Sequence, residues 1–340
     1  MSRVRAAVVA VAGAALAAEE RALFRRCPPL GFVLFRENCR DPEQLRRLVS
    51  ELKALYPGRP TPCFVDQEGG RVQRLGPPAW PPLPPAAALG RLWERDPRRA
   101  LAASAALAEA AAAMLVEAGV DVALAPVVDL PAPGSSQVIG DRAFSSDPEA
   151  AARLAGRFAR TLMRAGIAPT IKHLPGHGRA TVDSHHALPQ VQSPLQELRT
   201  HDFLPFRRLR RIPFGMTAHI RYTDLDPDRP ATLSSRVIHT VIRGEIGFRG
   251  ILLSDDLAMG ALAGPLAERT RMSLAAGCDV ALLGSRDLAA REEVLEAAAP
   301  VPEPLLARIA ALSAGLARRR RPGRLDPALA RLHRLLAAHA

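Results

Sequence analysis

Eight short apolar runs rich in Val, Ile and Leu lie at 7–12, 31–35, 62–65, 120–125, 168–171, 213–217, 250–253 and 279–283, each followed by a longer stretch with helical periodicity. The helical stretches cover 18–26, 42–55, 91–118, 148–165, 194–211, 235–246, 266–276 and 288–298. A length of 340 residues permits two ordinary domains or one large barrel. Strand followed by helix, eight times over, predicts the second: an α/β fold, a closed parallel (β/α)8 barrel of the TIM type. Asp41-Pro42 and Asp147-Pro148 read as caps followed by a proline in the first helical turn, and Gly119, Gly166 and Gly277 as helix stops. The proline-rich segment 76–85 is a long loop after the third strand and not a linker, because the alternation resumes beyond it. One barrel over 1–300 is therefore expected, with a tail over 301–340 of one or two amphipathic helices packed on it.

The unusual polar residues fall at strand C-terminal ends. Arg36-Glu37-Asn38 follows the second strand, the run Asp66 to Arg71 the third, Lys172-His173 closes the fifth, His219 follows the sixth and Asp255 closes the seventh. In such a barrel these ends converge on one face, so residues far apart in sequence meet in one pocket.

The run from Lys172 to His185 holds a lysine, three histidines and Asp183 around glycines and a proline, too polar for a core and too rich in glycine for a helix. Asp183 two positions before His185 can orient the imidazole and stabilise its protonated form, as proton transfer near neutral pH requires. The glycines suggest a loop that swings in with substrate; the blander reading is a surface loop with incidental polar residues. Asp255-Asp256 ends an apolar run. It could merely cap the next helix, but a carboxylate rising from a barrel strand is held as a nucleophile at a sugar's anomeric carbon must be. Alternation lets only one of the two point to the axis, and Asp255 is favoured, with Asp256 structural. Lys172 and His173 read as substrate hydrogen-bond donors. Asp66 and Arg74, with Gly69 and Gly70 between them, fit a pocket that grips hydroxyls, or else a turn with a surface salt bridge. Arg142 is weaker taken alone, and His219 could be a core histidine. The histidine cluster raises a metal site, but most of its members share one loop, whereas barrel metal sites draw ligands from several strands.

A net charge of +12 and runs such as 207–211 and 318–321 invite a nucleic-acid reading. Against it, aromatic content is 4% and lysine occurs only at 53 and 172, all other basic residues being arginine, a bias that looks like coding-sequence composition. Cys27, Cys39, Cys63 and Cys278 are scattered without metal-ligand spacing and read as reduced thiols. Arg3 and Arg5 ahead of the apolar stretch 6–18 resemble a secretory signal, but the same residues serve as the first barrel strand. No other segment approaches a membrane span, and a cytoplasmic protein is expected.

On these motifs the chain resembles the family 3 glycoside hydrolases, specifically the bacterial β-N-acetylhexosaminidases of cell-wall recycling. The resemblance rests on Phe64-Val65-Asp66-Gln67-Glu68-Gly69-Gly70-Arg71-Val72-Gln73-Arg74-Leu75, on Lys172-His173 through Asp183-Ser184-His185, and on Ser254-Asp255-Asp256-Leu257. It implies Asp255 as nucleophile, His185 with Asp183 as the acid/base dyad, and Asp66, Arg74, Arg142, Lys172 and His173 as sugar-binding residues. It further implies a (β/α)8 barrel with no second domain and no metal, acting on muropeptides and related saccharides ending in β-linked N-acetylglucosamine; no other cofactor and a monomeric state are expected beside it. Two departures stand out: Arg179, where many members carry an acidic residue, and the small, apolar segment 258–262 after the nucleophile position.

The reaction this implies is retaining hydrolysis through a covalent glycosyl-enzyme on Asp255. Rival readings are phosphorolysis by the same dyad, since a histidine does not repel an incoming phosphate as a carboxylate would; a metal-dependent barrel hydrolase; and a non-catalytic, basic nucleic-acid-binding barrel.

Overall fold

The computed structural model describes residues 3–337. Eight parallel strands, β1 (Arg5–Ala10), β2 (Pro29–Leu34), β3 (Cys63–Val65), β4 (Val122–Ala123), β5 (Ala168–Leu174), β6 (Phe214–Thr217), β7 (Ile251–Asp256) and β8 (Val280–Leu283), form a closed barrel in sequential order, with β8 pairing back to β1. This is the expected (β/α)8 architecture. Alternation along each strand divides its side chains between two layers. Val8, Val33, Phe64, Phe214, Leu253 and Leu282 fill the barrel interior, while Ala7, Val9, Phe32 and Leu252 face the surrounding helices. Phe64 and Phe214 meet edge to face at the centre, ring centroids 5.6 Å apart.

The first apolar run is structural in this fold: β1 is hydrogen-bonded to β8 on one side and β2 on the other. All four cysteines are free and buried.

Three helical stretches differ from the sequence reading. The stretch 91–118 is two helices, Ala86–Arg95 and Pro97–Glu117, because Asp96 caps the second through the Arg99 N–H at 3.0 Å and Pro97 starts it. Contrary to the expectation that no segment beyond the first apolar run approaches a membrane span, the second is long and apolar enough to cross a membrane by length and composition, but most of it is buried among its neighbours. The stretch 194–211 is likewise two short helices, Leu195–Thr200 and Phe203–Arg208. The break falls at His201-Asp202, where the Leu204 N–H bonds the His201 carbonyl at 3.2 Å, and Pro205 has no N–H with which to continue the helical bonding there. The stretch 235–246 is a wide helix over Val237–Glu245, whose last turn closes through Ile246 N–H onto the Val241 carbonyl at 2.8 Å.

Beyond residue 300, helix Glu303–Ala317 crosses the N-terminal mouth of the barrel and inserts Ile309 and Leu316 into the interior cluster. Helix Leu325–Ala337 lies against Pro97–Glu117. Between them Arg320 reaches Asp121 at 2.8 Å. The floor is thus closed, and the C-terminal mouth holds the site.

Candidate active site

The strand C-termini open onto a cavity of about 290 Å³, and the eight residues given site roles from the sequence line it: Asp66, Arg74, Arg142, Lys172, His173, Asp183, His185 and Asp255; Arg36, Glu37, Asn38 and His219, also expected at this face, do not.

One wall is a charge network. Lys172, pointing up from β5 and almost fully buried, places Nζ 2.8 Å from Asp66 Oδ1 and 2.7 Å from Glu68 Oε1. Arg74 donates to Asp66 Oδ2 at 3.0 Å, and Arg142 grips Glu68 with two bonds of 2.8 and 2.9 Å. Burial alone would raise the Asp66 carboxyl, but Lys172 and Arg74 outweigh it and hold it far below the ordinary carboxylate range. Three cations against two carboxylates leave this wall with a net positive charge and polar atoms fixed for gripping hydroxyls. The carboxylates hang on a turn in which Gly69 and Gly70 both take positive φ. At Gly69 a side chain would also meet the Pro84 carbonyl, which folds the loop 76–85 over the turn.

A second wall is organised by Asp129. Its carboxylate accepts the His173 backbone N–H at 3.0 Å, His173 Nδ1 at 2.7 Å and the His177 N–H at 2.7 Å. The His173 ring therefore carries its proton on Nδ1 toward Asp129 and keeps Nε2 as its remaining polar atom. His177 meets His173 edge to face, centroids 5.4 Å apart. Burial, with the neighbouring His173, pushes the His177 ring down to about 4, so it is neutral near pH 7.

The two carboxylates of β7 have different surroundings. Asp255 Oδ1 accepts the Asp256 N–H at 2.9 Å, which leaves Oδ2 without an intramolecular partner among the described residues. Burial opposes its charge, yet His173 and His219, with that N–H, outweigh burial and hold the carboxyl below the ordinary range. Asp256 turns away to bind the N–H groups of Ala258 at 2.9 Å and Gly284 at 2.8 Å, and burial pushes its carboxyl up. Asp255 is thus the ionised, free-ended carboxylate and Asp256 the structural one.

Asp183 Oδ1 accepts both the backbone N–H of His185 at 2.9 Å and its Nδ1 at 2.8 Å, so the proton sits on Nδ1 and Nε2 is the free atom of an exposed ring. Burial raises the Asp183 carboxyl, and its two bonds to His185 with the charge of that ring together outweigh burial and lower it. In place of a loop swung away, the structure has the dyad docked at the cavity. The Ser184 and His185 carbonyls accept the N–H groups of Ala261 and Gly260, each at 3.1 Å, and Ser184 Oγ lies 3.1 Å from His177 Nε2. Within the segment 258–262 this contact explains the glycine: a side chain at Gly260 would stand 2.8 Å from the His185 carbonyl. Arg179 points elsewhere, to Asp202 at 2.8 Å and Glu197 at 2.6 Å.

Sequence reasoning gave Glu68 no role and passed over Asp129; Glu68 obeys the rule that found Asp66, a carboxylate just past a strand's C-terminal end, whereas Asp129 lies in irregular backbone well beyond the end of β4. Among the described residues no group of three or more His, Cys, Asp or Glu is arranged to hold a metal ion.

Comparison with known proteins agrees with this geometry. Residues 7–309 match the N-terminal domain of glycosyl hydrolase family 3. The chain is 45% identical over 277 residues to a β-hexosaminidase of Alkalilimnicola ehrlichii, covering 80% of this chain and 78% of that one. It is 41% identical over 335 residues to a β-hexosaminidase of Aromatoleum aromaticum, covering 95% and 89%. The crystal structure of NagZ from Neisseria gonorrhoeae in complex with N-trifluoroacetyl-D-glucosamine superposes with a TM-score of 0.87 at 33% identity, covering 99% of both chains. The chain therefore belongs to glycosyl hydrolase family 3, among the bacterial β-N-acetylhexosaminidases, and is a glycoside hydrolase.

Proposed function

We propose that this enzyme removes terminal, non-reducing β-linked N-acetylglucosamine from muropeptides and related cell-wall saccharides, with retention of configuration. The observation that carries the reading is one cavity lined both by an ionised carboxylate with a free oxygen, Asp255, and by a carboxylate-oriented imidazole, His185. Asp255 Oδ2 attacks C1 of the sugar while His185 gives a proton to the departing oxygen. The neutral imidazole then takes a proton from water, which displaces Asp255 from C1; two inversions give retention. Asp183 stabilises the imidazolium whenever it forms. Asp66, Arg74, Arg142, Lys172 and His173 hold the sugar hydroxyls. The cavity, about 290 Å³, lies at the small end of ligand sites, and favours one sugar ring inside with the leaving group at the mouth. No residue is assigned to a metal or other cofactor in this scheme.

The same proposal places the enzyme in the cytoplasm as a monomer, a single catalytic barrel over 1–300 with the 301–340 tail as a structural extension. Its support is that β1, the signal-like run, is a barrel strand whose removal would open the sheet. Mass spectrometry of the native protein checks this: cleavage after the alanine run would overturn it.

The deciding experiment is hydrolysis of a chromogenic N-acetyl-β-glucosaminide in phosphate-free buffer with chelator, with NMR detection of the first anomer released. Turnover with β-anomer formed first, abolished in Asp255→Ala, is expected. Substantial activity in Asp255→Ala, an α-anomer first product, or turnover that appears only on adding phosphate would each overturn the scheme.

A further inference from the structure

Strand β7 changes its manner of hydrogen bonding just where Asp255 stands. Its ladder with β6 pairs Ile251, Leu252 and Leu253 with Phe214, Gly215 and Met216 and goes no further. On the other side its register with β8 shifts between Leu253 and Asp256. Across that irregular step side chains replace the ladder: Ser254 Oγ accepts the Leu282 N–H at 2.9 Å, and Thr217 Oγ1 accepts the Asp255 N–H at 3.3 Å.

Thr217 does not stand alone. Its hydroxyl lies 2.8 Å from Thr232 Oγ1, which lies 2.7 Å from His219 Nδ1, and His219 Nε2 lies 2.9 Å from the Asp256 carbonyl oxygen. Thr217, Thr232 and His219 are all fully buried. The direction of each bond follows from what each atom can do. A carbonyl only accepts, so His219 carries its proton on Nε2. Burial lowers the His219 ring, which keeps it neutral and leaves Nδ1 an acceptor for the Thr232 O–H. The Ala218 carbonyl, 3.0 Å from Thr232 Oγ1, is the longer of that hydroxyl's two choices. Thr232 Oγ1 then accepts from Thr217, whose oxygen accepts from Asp255. The chain of bonds leaves β7 at the N–H of Asp255 and returns to it at the carbonyl of Asp256.

We infer that Thr232, on the short turn Ala231–Leu233 that follows β6, is the hub of a positioning unit, with Thr217 and His219, that fixes the backbone bearing Asp255 where the sheet no longer does. Thr232 lies outside the cavity lining and touches no sugar; it acts through the aim of the carboxylate. This rests on Asp255 being the nucleophile.

The test compares wild type, Asp255→Ala, Thr232→Val, Thr232→Ser and His219→Gln on an aryl N-acetyl-β-glucosaminide, with the pre-steady-state burst recorded. Valine keeps the shape and branching and deletes the hydroxyl; serine keeps the hydroxyl; glutamine can place its amide NH2 where Nε2 donates to the Asp256 carbonyl and has no acceptor at the position of Nδ1, which faces Thr232. Since misplacement of a reacting group by about 1 Å can cost about 100-fold, Thr232→Val is expected to lower kcat by about 10- to 100-fold and slow the burst in proportion, with KM within about threefold. Thr232→Ser should recover most of kcat. A Thr217→Val/Thr232→Val pair should be no worse than either alone, as members of one unit are non-additive. Full kcat in folded Thr232→Val beside an inactive Asp255→Ala overturns the positioning role and leaves the nucleophile standing. An active Asp255→Ala overturns the reading beneath it. If Thr232→Val does not fold, His219→Gln decides: kcat undiminished rejects the unit, and a matching loss with KM held supports it.

Discussion

Asp129 holds His173 by both its backbone N–H and its ring Nδ1, with 3.0 and 2.7 Å contacts to the two carboxylate oxygens. A single buried carboxylate thereby fixes where the residue sits and which nitrogen of its ring is bare. Asp129→Asn keeps the volume and turns an acceptor into a donor facing N–H groups. Orienting partners of this kind commonly govern one to two powers of ten in activity, so kcat/KM is expected to fall about 10- to 100-fold, with a lower Tm. Steady-state kinetics and thermal unfolding check this, and a variant within threefold of wild type would remove Asp129 from the machinery.

His185 should matter in proportion to the leaving group's need for a proton. General acid catalysis is worth about 100- to 10,000-fold. His185→Ala should therefore lose that factor on a disaccharide or muropeptide and far less in the glycosylation step of a dinitrophenyl glycoside, whose phenolate departs unaided. Equal losses on both substrates would place His185 outside proton donation.

The acid limb of stability should carry a signature of His177. Its ring falls from about 6.5 in the unfolded chain to about 4 in the fold, so between those pH values the unfolded state binds the extra proton and stability drops as pH falls. The linked loss is on the order of 3 kcal/mol at most, complete near pH 4. The lowered carboxyls of Asp66, Glu68, Asp129 and Asp255 act further down. Their stabilisation is fully present above an unfolded value of about 4 and is lost as pH falls through their folded values. Urea unfolding of wild type and His177→Asn from pH 7.5 to 4 should give curves parallel above pH 7 and converging below it; parallel curves throughout would contradict the burial argument.

The tail is expected to matter for stability and not for turnover. Ile309 is buried in the interior cluster at the closed end of the barrel. Ile309→Ala should cost about 2–5 kcal/mol, from lost burial and the cavity left behind, with KM and kcat unchanged at temperatures where the variant is folded. A change in KM with intact stability would mean that the floor communicates with the site.

The barrel strands were legible because each is a run of side chains that must be buried, and the order of runs leaves one economical closure. The helices that misread share a cause: Pro97, Pro205 and the wide turns of 237–245 break or stretch a periodic pattern without erasing it. The site residues were legible where a polar group interrupts an apolar strand, as at Lys172 and Asp255. Asp129 sits among irregular backbone with no periodicity to interrupt, and Thr232 is an ordinary hydroxyl whose meaning comes from partners 13 and 15 residues away. Neither distance is written in local sequence.

The clamp between the dyad loop and residues 260–261 has a mechanical consequence. Asp255 and the two amides that grip the carbonyls of Ser184 and His185 lie on one short stretch of chain, so the attacking atom and the proton carrier share an anchor. Breathing of the barrel that displaces β7 carries both ends of the reaction with it, and the span between them depends on a few residues of local backbone instead of on the circumference of the sheet.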